Sequence, residues 1–447
     1  MTNLVGMNIN KEFIPSVANT IGTNLARYKL INENQFACNL MHVGRDMSVV
    51  ISLFTSKKPA IISPAYKVFE IKNKEILLPK FLMMYFRRSE FDRLGWFYTD
   101  SSIRGSLDWA KFCDIEIPIP KLEIQEKIVK IYEFLNYRIK LKERINKNLE
   151  QLMKCIFDDW FVNFSHYEDI SFKASKLGEI PSPWNVKTLG DVLITLESGK
   201  RPKGGISQVD EGIPSIGAEN ILGLGKFNYS KNKLVSHEFF NKLKKGIVQD
   251  QDVLLYKDGA QLGRKSLFMK GFPFNTCCIN EHVFLLRSNN EISQFYLYLW
   301  LDQKIMTNEI INLNSNSAQP GINQNDVKSL PILVPELEIM NKFNNIISPM
   351  MNQIFDNAIE INNLSKLRDT LLPKLMSGEI DVGINSYLKI IMRKFISNLL
   401  KYLLRYLNEN KNYIKDSKSN ETLPKSGTIY KINKFFTKFT TRYRHHR

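Results

Sequence analysis

The stretch LESGKRPKGGI, Leu196–Ile206, gathers three cations and three glycines in one loop. Lys200, Arg201 and Lys203 offer an ammonium–guanidinium set that suits phosphate oxygens, and an arginine fork also matches the edge of guanine. Gly199, Gly204 and Gly205 permit positive φ and close approach of a neighbouring backbone. A solvated basic turn has the same composition, so the loop alone leaves both readings open. Two further loops place Gly-Arg after a strand-like run. They are NLMHVGRDMSVV, with Arg45, and YKDGAQLGRKSLF, with Arg264 and Lys265. Either arginine suits a groove or a brace to a carboxylate. The polar stretch Ser101, Ser102 and Arg104 precedes a short helical run, as Asn314–Asn323 does later in the chain.

Chemistry on bonds finds little support. The chain has no Asn-Pro-Pro or Pro-Cys loop, no glycine-rich cofactor fingerprint and no GxxxxGK[ST] phosphate loop. Glu70-Ile71-Lys72 resembles the tail of a nuclease motif but lacks the Pro-Asp that should precede it. The five cysteines form no CxxC pair and no zinc-like spacing with histidine, so no metal site is expected and the thiols are read as free and buried. His42 and His282 lie in apolar surroundings and are read as structural. No signal peptide or membrane span is evident, which predicts a soluble cytoplasmic protein with no membrane partner. The net charge of +17 points to a polyanion, but residues 383–447 hold 15 Lys or Arg against 3 Asp or Glu. That tail accounts for +12, leaving +5 for the rest. Its stretch Tyr387–Leu407 has the pattern of a basic amphipathic helix that could lie on anionic lipid or DNA, but a non-adapted extension is the preferred reading of this composition.

The elements that carry these loops are written twice. IPIPKLEIQEKI, Ile117–Ile128, matches ILVPELEIMNKF, Ile332–Phe343, at six of twelve positions with an offset of 215. The same register joins Leu107, Phe112 and Ile115 to Ile322, Val327 and Leu330. Earlier the match slips: Gly44-Arg45 falls on Gly263-Arg264 at 219, and NLVG (Asn3–Gly6) on NILG (Asn220–Gly223) at 217. The second copy begins near Leu177, so Met1 corresponds to about Glu219 and roughly 40 opening residues have no counterpart in the first copy; either the gene is truncated, or the true start lies upstream, or the first domain manages without that part.

Each copy has a mixed front of short strands and helices and a helical back. Apolar residues in the first back are Ile124, Ile128, Ile131 and Leu135, then Ile145, Leu149, Leu152 and Ile156, with a weak stretch at Arg138–Lys142. The second has Ile339, Phe343, Ile346, Met350 and Ile354, then Ile361, Leu364 and Leu371. Steps of three and four make a coiled-coil seam, and each helix finds its complement in its twin. The expected fold is α+β: two similar globular domains separated by two long helices packed as an antiparallel coiled coil. The segments are 1–116, 117–165 (helix), 166–177 (linker), 178–335, 336–378 (helix) and 379–447 (basic tail). Two similar heads on a rod suit a duplex with two separated sites.

The chain resembles the specificity subunits of type I restriction–modification systems. PSVANTIGTNLARYKL, MHVGRD, ISPAYKVFEI and RGSLDWAKFCDIEIPIP resemble the family's first target-recognition domain, and IPSPWNVKTLGDV, SGKRPKGGI and KDGAQLGR its second. LEQLMKCIFDDWFVNF and LRDTLLPKLMSGEID resemble its central and C-terminal conserved regions. The resemblance implies a subunit without an active site that reads a bipartite DNA target. Its paired helices would fix the gap and share the seam with two modification subunits. Those would bring S-adenosylmethionine, and two restriction subunits would bring ATP and Mg²⁺. The absent front of copy one includes the counterpart of the Lys200–Lys203 loop, which sets that half-site apart.

Overall fold

The computed structural model describes residues 3–16, 23–100, 105–167, 169–203, 205, 211–314, 320–376 and 379. Arg104 with Ser101 and Ser102, the core of the Asn314–Asn323 loop, and the basic tail lie outside the described residues.

The first head contains β1 (Leu4–Met7), β2 (Phe13–Pro15), β3 (Lys29–Ile31), β4 (Phe36–Asn39), β5 (Val50–Leu53), β6 (Ala60–Ile62) and β7 (Lys67–Phe69). They form two sheets, β2-β1-β6-β3 and β5-β4-β7. The second head contains β8 (Phe172–Ser175), β9 (Gly178–Pro181), β10 (Asn185–Thr188), β11 (Leu193–Ser198), β12 (Ile213–Ile216), β13 (Lys233–Val235), β14 (Asp252–Tyr256), β15 (Lys265–Phe268), β16 (Cys278–Ile279), β17 (Val283–Ser288) and β18 (Pro331–Val334). Its main sheets run β11-β17-β14-β15 and β13-β12-β16, with pairs β10-β18 and β8-β9. The segment read as a linker thus carries β8 and the buried Tyr167, whose ring lies 4.9 Å from that of Trp184.

Two 40-residue helices, Leu122–Phe161 and Leu337–Met376, are each roughly 60 Å long. They run antiparallel. Leu135 and Ile139 near the start of the first pack on Leu364 toward the end of the second, while Phe157 near the end of the first meets Phe343 near the start of the second at 5.9 Å. Between these apolar patches lies a polar layer. The Lys142 ammonium donates to Asn357 at 2.9 Å and pairs with Glu360 at 2.7 Å. Asn357 also donates to Asn146 at 2.7 Å, and Arg138 pairs with Glu360. The weak stretch of the sequence seam is this layer. Lys142 and Asn357 are 215 positions apart, the offset of the repeat, so each touches its own counterpart. Only residues on a two-fold axis can do that. A half-buried polar contact there sets the register of the pair, as polar residues do at single coiled-coil core positions.

Of the seam residues, Ile128, Leu135, Phe343, Ile354 and Leu364 are buried, and Ile124, Ile131, Leu149, Ile156, Ile339, Met350, Ile361 and Leu371 are half-buried. Ile145, Leu152 and Ile346, expected inside, are 37%, 48% and 38% exposed. The buried stripe runs one residue later, through Met153, Phe157 and Phe161 and through Ile347 and Met351. A straight helix drifts against a strict seven-residue repeat, and these turns pack on the second head as well as on each other.

Gln125 fastens the first helix to its head. Its fully buried amide accepts from the Leu78 N–H at 2.9 Å and donates to the carbonyls of Ile76 and Pro120 at 2.8 Å. At the other end Phe157 and Phe161 lie 5.4 and 4.9 Å from Tyr296, tying the helix pair to the second head.

Strand pairing corrects two matches drawn from sequence. In β1, Val5 lies parallel beside Ile62 of β6; in β12, Ile216 lies parallel beside Ile279 of β16. Val5 is therefore the counterpart of Ile216, and NLVG does not correspond to NILG, whose residues begin in a 3-10 turn. Likewise the Gly44 N–H donates to the Gly105 carbonyl at 2.8 Å, as the Gly259 N–H does to Pro320 at 2.8 Å. Gly44 corresponds to Gly259, not Gly263. A shared Gly-Arg dipeptide is too short to fix register; a backbone hydrogen bond does.

Candidate nucleic-acid interface

The Lys200–Lys203 loop leaves the end of β11 and is rooted by its first glycine. The Gly199 N–H donates to the Asn280 carbonyl at 3.2 Å, and a Cβ at Gly199 would stand 1.7 Å from the Ile279 carbonyl oxygen. The neighbouring turn is equally tight: a Cβ at Gly246 would lie 2.9 Å from the Gly199 Cα. The Glu197 carboxylate accepts from the Gly246 N–H at 2.7 Å and closes the same corner. Gly205, at φ +92°, uses the left-handed region that its sequence position suggested.

Lys200, Arg201 and Lys203 are all exposed. The Arg201 guanidinium is braced by Glu281 at 3.0 Å, which leaves it 61% exposed. Next to Glu281, His282 lies 3.3 Å from Asp258, linking this loop to the one carrying Arg264. Arg264 is exposed, and among the described residues its side chain has no protein partner. Lys244, exposed, and Lys245, half-buried, lead into Gly246, the residue that abuts Gly199. Sequence reasoning missed these two lysines, because more than 40 positions separate them from Lys200. A basic pair ahead of a glycine, KKG, was the available signal.

Lys265 does not belong to this surface. It is 4% exposed, donates to the Thr307 hydroxyl and lies 4.0 Å from Asp302. Burial pulls its ammonium down to about 8. Position 265 lies within β15, where all four residues are buried. Lys265→Met should therefore stabilise the fold by about 1–3 kcal/mol at neutral pH, since Asp302 keeps Lys154 at 2.8 Å. The penalty of the buried charge is fully present below about 8 and fades as pH rises toward the ordinary 10.5, so the native chain gains stability across that window. In the methionine variant the gain disappears. Denaturant midpoints from pH 7 to 10.5 would show it, and a destabilised variant would refute it.

In the first head Arg45 is 60% exposed, but it is engaged by its neighbour: Nε and Nη2 donate to the two Asp46 oxygens at 2.7 and 3.1 Å. That pairing holds the Asp46 carboxyl below its usual range. Gly44 and Gly105 press backbone to backbone, each Cβ position within 2.6 Å of the other's Cα. No group of acids, histidines and cysteines suited to a metal occurs among the described residues. The cysteines are free, with Cys38, Cys277 and Cys278 buried but Cys113 and Cys155 exposed, contrary to the expectation for those two. Burial pushes the Cys38 and Cys277 thiols up to about 12, which leaves them inert as nucleophiles.

Two related heads sit on a two-fold helix pair, with exposed cations on their loops. The type I restriction modification DNA specificity domain matches residues 9–151 and again residues 181–369, and this chain belongs to that family. The specificity subunit of the type I restriction enzyme MjaIX of Methanocaldococcus jannaschii is 26% identical over 277 residues, covering 60% of this chain and 61% of that subunit. The match thus spans less than two thirds of that relative's length. The HindI specificity subunit of Haemophilus influenzae is 24% identical over 391 residues, covering 72% of this chain and 81% of the subunit. The crystal structure of a type I S subunit from M. genitalium aligns with a TM-score of 0.49 at 16% identity, over 78% of this chain and 84% of that one. By their names, both relatives are the specificity subunits of type I restriction enzymes.

Proposed function

We propose that this chain is the DNA-recognition subunit of a type I restriction–modification complex, acting in the cytoplasm and performing no chemistry itself. Each head reads one half of a divided duplex target. The Lys142–Asn357 contact carries this reading, because an on-axis pair fixes two related heads in one symmetric register. In the second head, Lys200, Arg201, Lys203 and Arg264, joined by Lys244 and Lys245, supply phosphate and base contacts. In the first, Arg45 and Arg104 take that part.

The helix pair also docks two modification subunits. Phe134, Tyr137, Leu141, Ile145 and Leu152 are all exposed, and their spacing sets them on one face of the first helix. Leu152 and its counterpart Leu367, 48% and 39% exposed, place one such leucine on each helix. The modification subunits bring S-adenosylmethionine for adenine methylation, and two restriction subunits bring ATP and Mg²⁺. A second reading is an inactive or variable-locus allele that assembles but does not target DNA.

Mapping methylated adenines in cells carrying this gene tests both. The proposal expects a bipartite motif; a continuous motif counts against two heads, and no dependence on this chain favours the second reading. Arg201→Ala should cost about 1–3 kcal/mol of DNA affinity if it reads a base. Adding Lys200→Ala, Lys203→Ala, Lys244→Ala and Lys245→Ala should flatten the salt dependence by about one charge per lost phosphate contact. Unchanged affinity and slope would return the loops to ordinary solvated turns.

A further inference from the structure

The buried Lys265 lines a cavity of about 700 Å³ where the second head meets the first long helix. A volume of that size suits a small ligand. Its wall carries Lys154, Lys226, Arg264 and Lys265 against Glu150 and Asp302, four cations to two acids. Lys154 takes both acids, Glu150 at 3.1 Å and Asp302 at 2.8 Å. Lys226 lies 3.9 Å from the second Glu150 oxygen. Arg264 has no protein partner among the described residues, so the surplus of two charges rests on Arg264 and Lys265. In the turn on the same wall, the N–H groups of Ala260 and Gln261 also have no protein acceptor among the described residues.

The Lys265 ammonium has donors to spare. Of its three N–H groups, one meets the Thr307 hydroxyl, and among the described residues the others have no acceptor. Thr307 in turn donates to the Gln303 carbonyl at 2.9 Å. A buried charge left in this state costs stability, and the fold does not call for it. At the repeat offset, β5 opens on Val50 where β15 opens on Lys265.

The first head shows how a buried lysine is closed. Lys11 is 5% exposed, and its ammonium meets the Asp92 carboxylate at 2.7 Å and the Phe86 carbonyl. Asp92 is the counterpart of Thr307, because the helices Ser89–Phe97 and Lys304–Asn312 match end to end at the same offset of 215. One head completes its buried ammonium from within. The other presents a hydroxyl there and leaves the charge facing a cavity.

We propose that this cavity binds a phosphate group, with the Lys265 ammonium at its buried end, Arg264 and Lys226 at its exposed end, and the Ala260 and Gln261 N–H groups beside them. A phosphate brings about two negative charges and three acceptor oxygens, which answer both the surplus charge and the unfilled donors. A carboxylate answers only half the charge. The group belongs either to a small phosphorylated molecule or to a nucleic-acid backbone, which share this chemistry.

The test is calorimetric titration of the full chain with inorganic pyrophosphate, at constant ionic strength and without DNA. One saturable site is expected. Lys265→Met, which should unfold at higher denaturant than the parent, should bind at least about tenfold more weakly. Thr307→Asp, which gives Lys265 the carboxylate that Asp92 gives Lys11, should lose the site as well. Pyrophosphate should raise the parent's denaturation midpoint and leave that of Lys265→Met unmoved. No saturable binding by the parent, or undiminished binding by either variant, would overturn the proposal. A short DNA duplex then identifies the source. Displacement of pyrophosphate assigns the site to the nucleic-acid backbone, and simultaneous binding assigns it to a separate small molecule. The DNA-reading assignment is tested by the methylation motif and stands or falls apart from this titration.

Discussion

A Gly199→Ala chain loses its basic loop and much of the stability of its second head. The side chain would enter 1.7 Å from the Ile279 carbonyl oxygen and 2.9 Å from that of Asn280. Both are backbone atoms at the β16–β17 turn, where β16 is held by β12, so no rotamer change relieves the contact. The end of β11 must peel from β17, taking the Glu197–Gly246 hydrogen bond with it. A loss of about 3–5 kcal/mol is expected, in the range where single changes identify a steric fault. DNA affinity should fall with it, since Lys200 and Arg201 follow Gly199 directly and Lys244 and Lys245 lead into the Gly246 turn packed on it. Gly205→Ala is the control. It meets nothing within 4 Å and suffers only from φ +92°, so about 1 kcal/mol is the limit. Equal melting and equal DNA binding of Gly199→Ala and parent would remove the corner from the binding surface.

The second large effect lies where head and rod meet. Phe343 is fully buried, with ring centroids of Phe161, Phe157, Trp160 and Tyr296 at 4.8, 5.9, 5.9 and 6.2 Å. Phe343→Ala should destabilise the fold by about 3–5 kcal/mol, because rings held by both helices and the head cannot collapse into the void. That is a large part of an ordinary domain's stability of about 5–15 kcal/mol. Ile346→Ala, one turn on and 38% exposed, should cost under about 0.5 kcal/mol. Chemical denaturation of the pair decides the seam register: similar losses would put Ile346 back inside. A loss confined to docking of a modification subunit would instead fit its outward position.

Much of this architecture was legible in one dimension. Periodicity of three and four residues over forty positions can satisfy only a long helix. The offset of 215 made the helices twins, and Lys142 against Asn357 gives that number its three-dimensional meaning. The exposed loop Lys200–Lys203 was also legible, because glycines and adjacent cations serve no buried strand. The rest was not. Lys265 follows Arg264 in the chain, yet Arg264 lies in the exposed turn before β15 while Lys265 opens a strand whose four residues are all buried.

The sequence by itself determined the duplication, the two helices and the lack of motifs for chemistry, since each is a matter of residue type and spacing. Only the tertiary structure decided which glycine answers which, which lysines lead into the turn packed on Gly199 and which face of each helix is covered. Those depend on hydrogen bonds and contacts between segments far apart along the chain, and no local pattern encodes them.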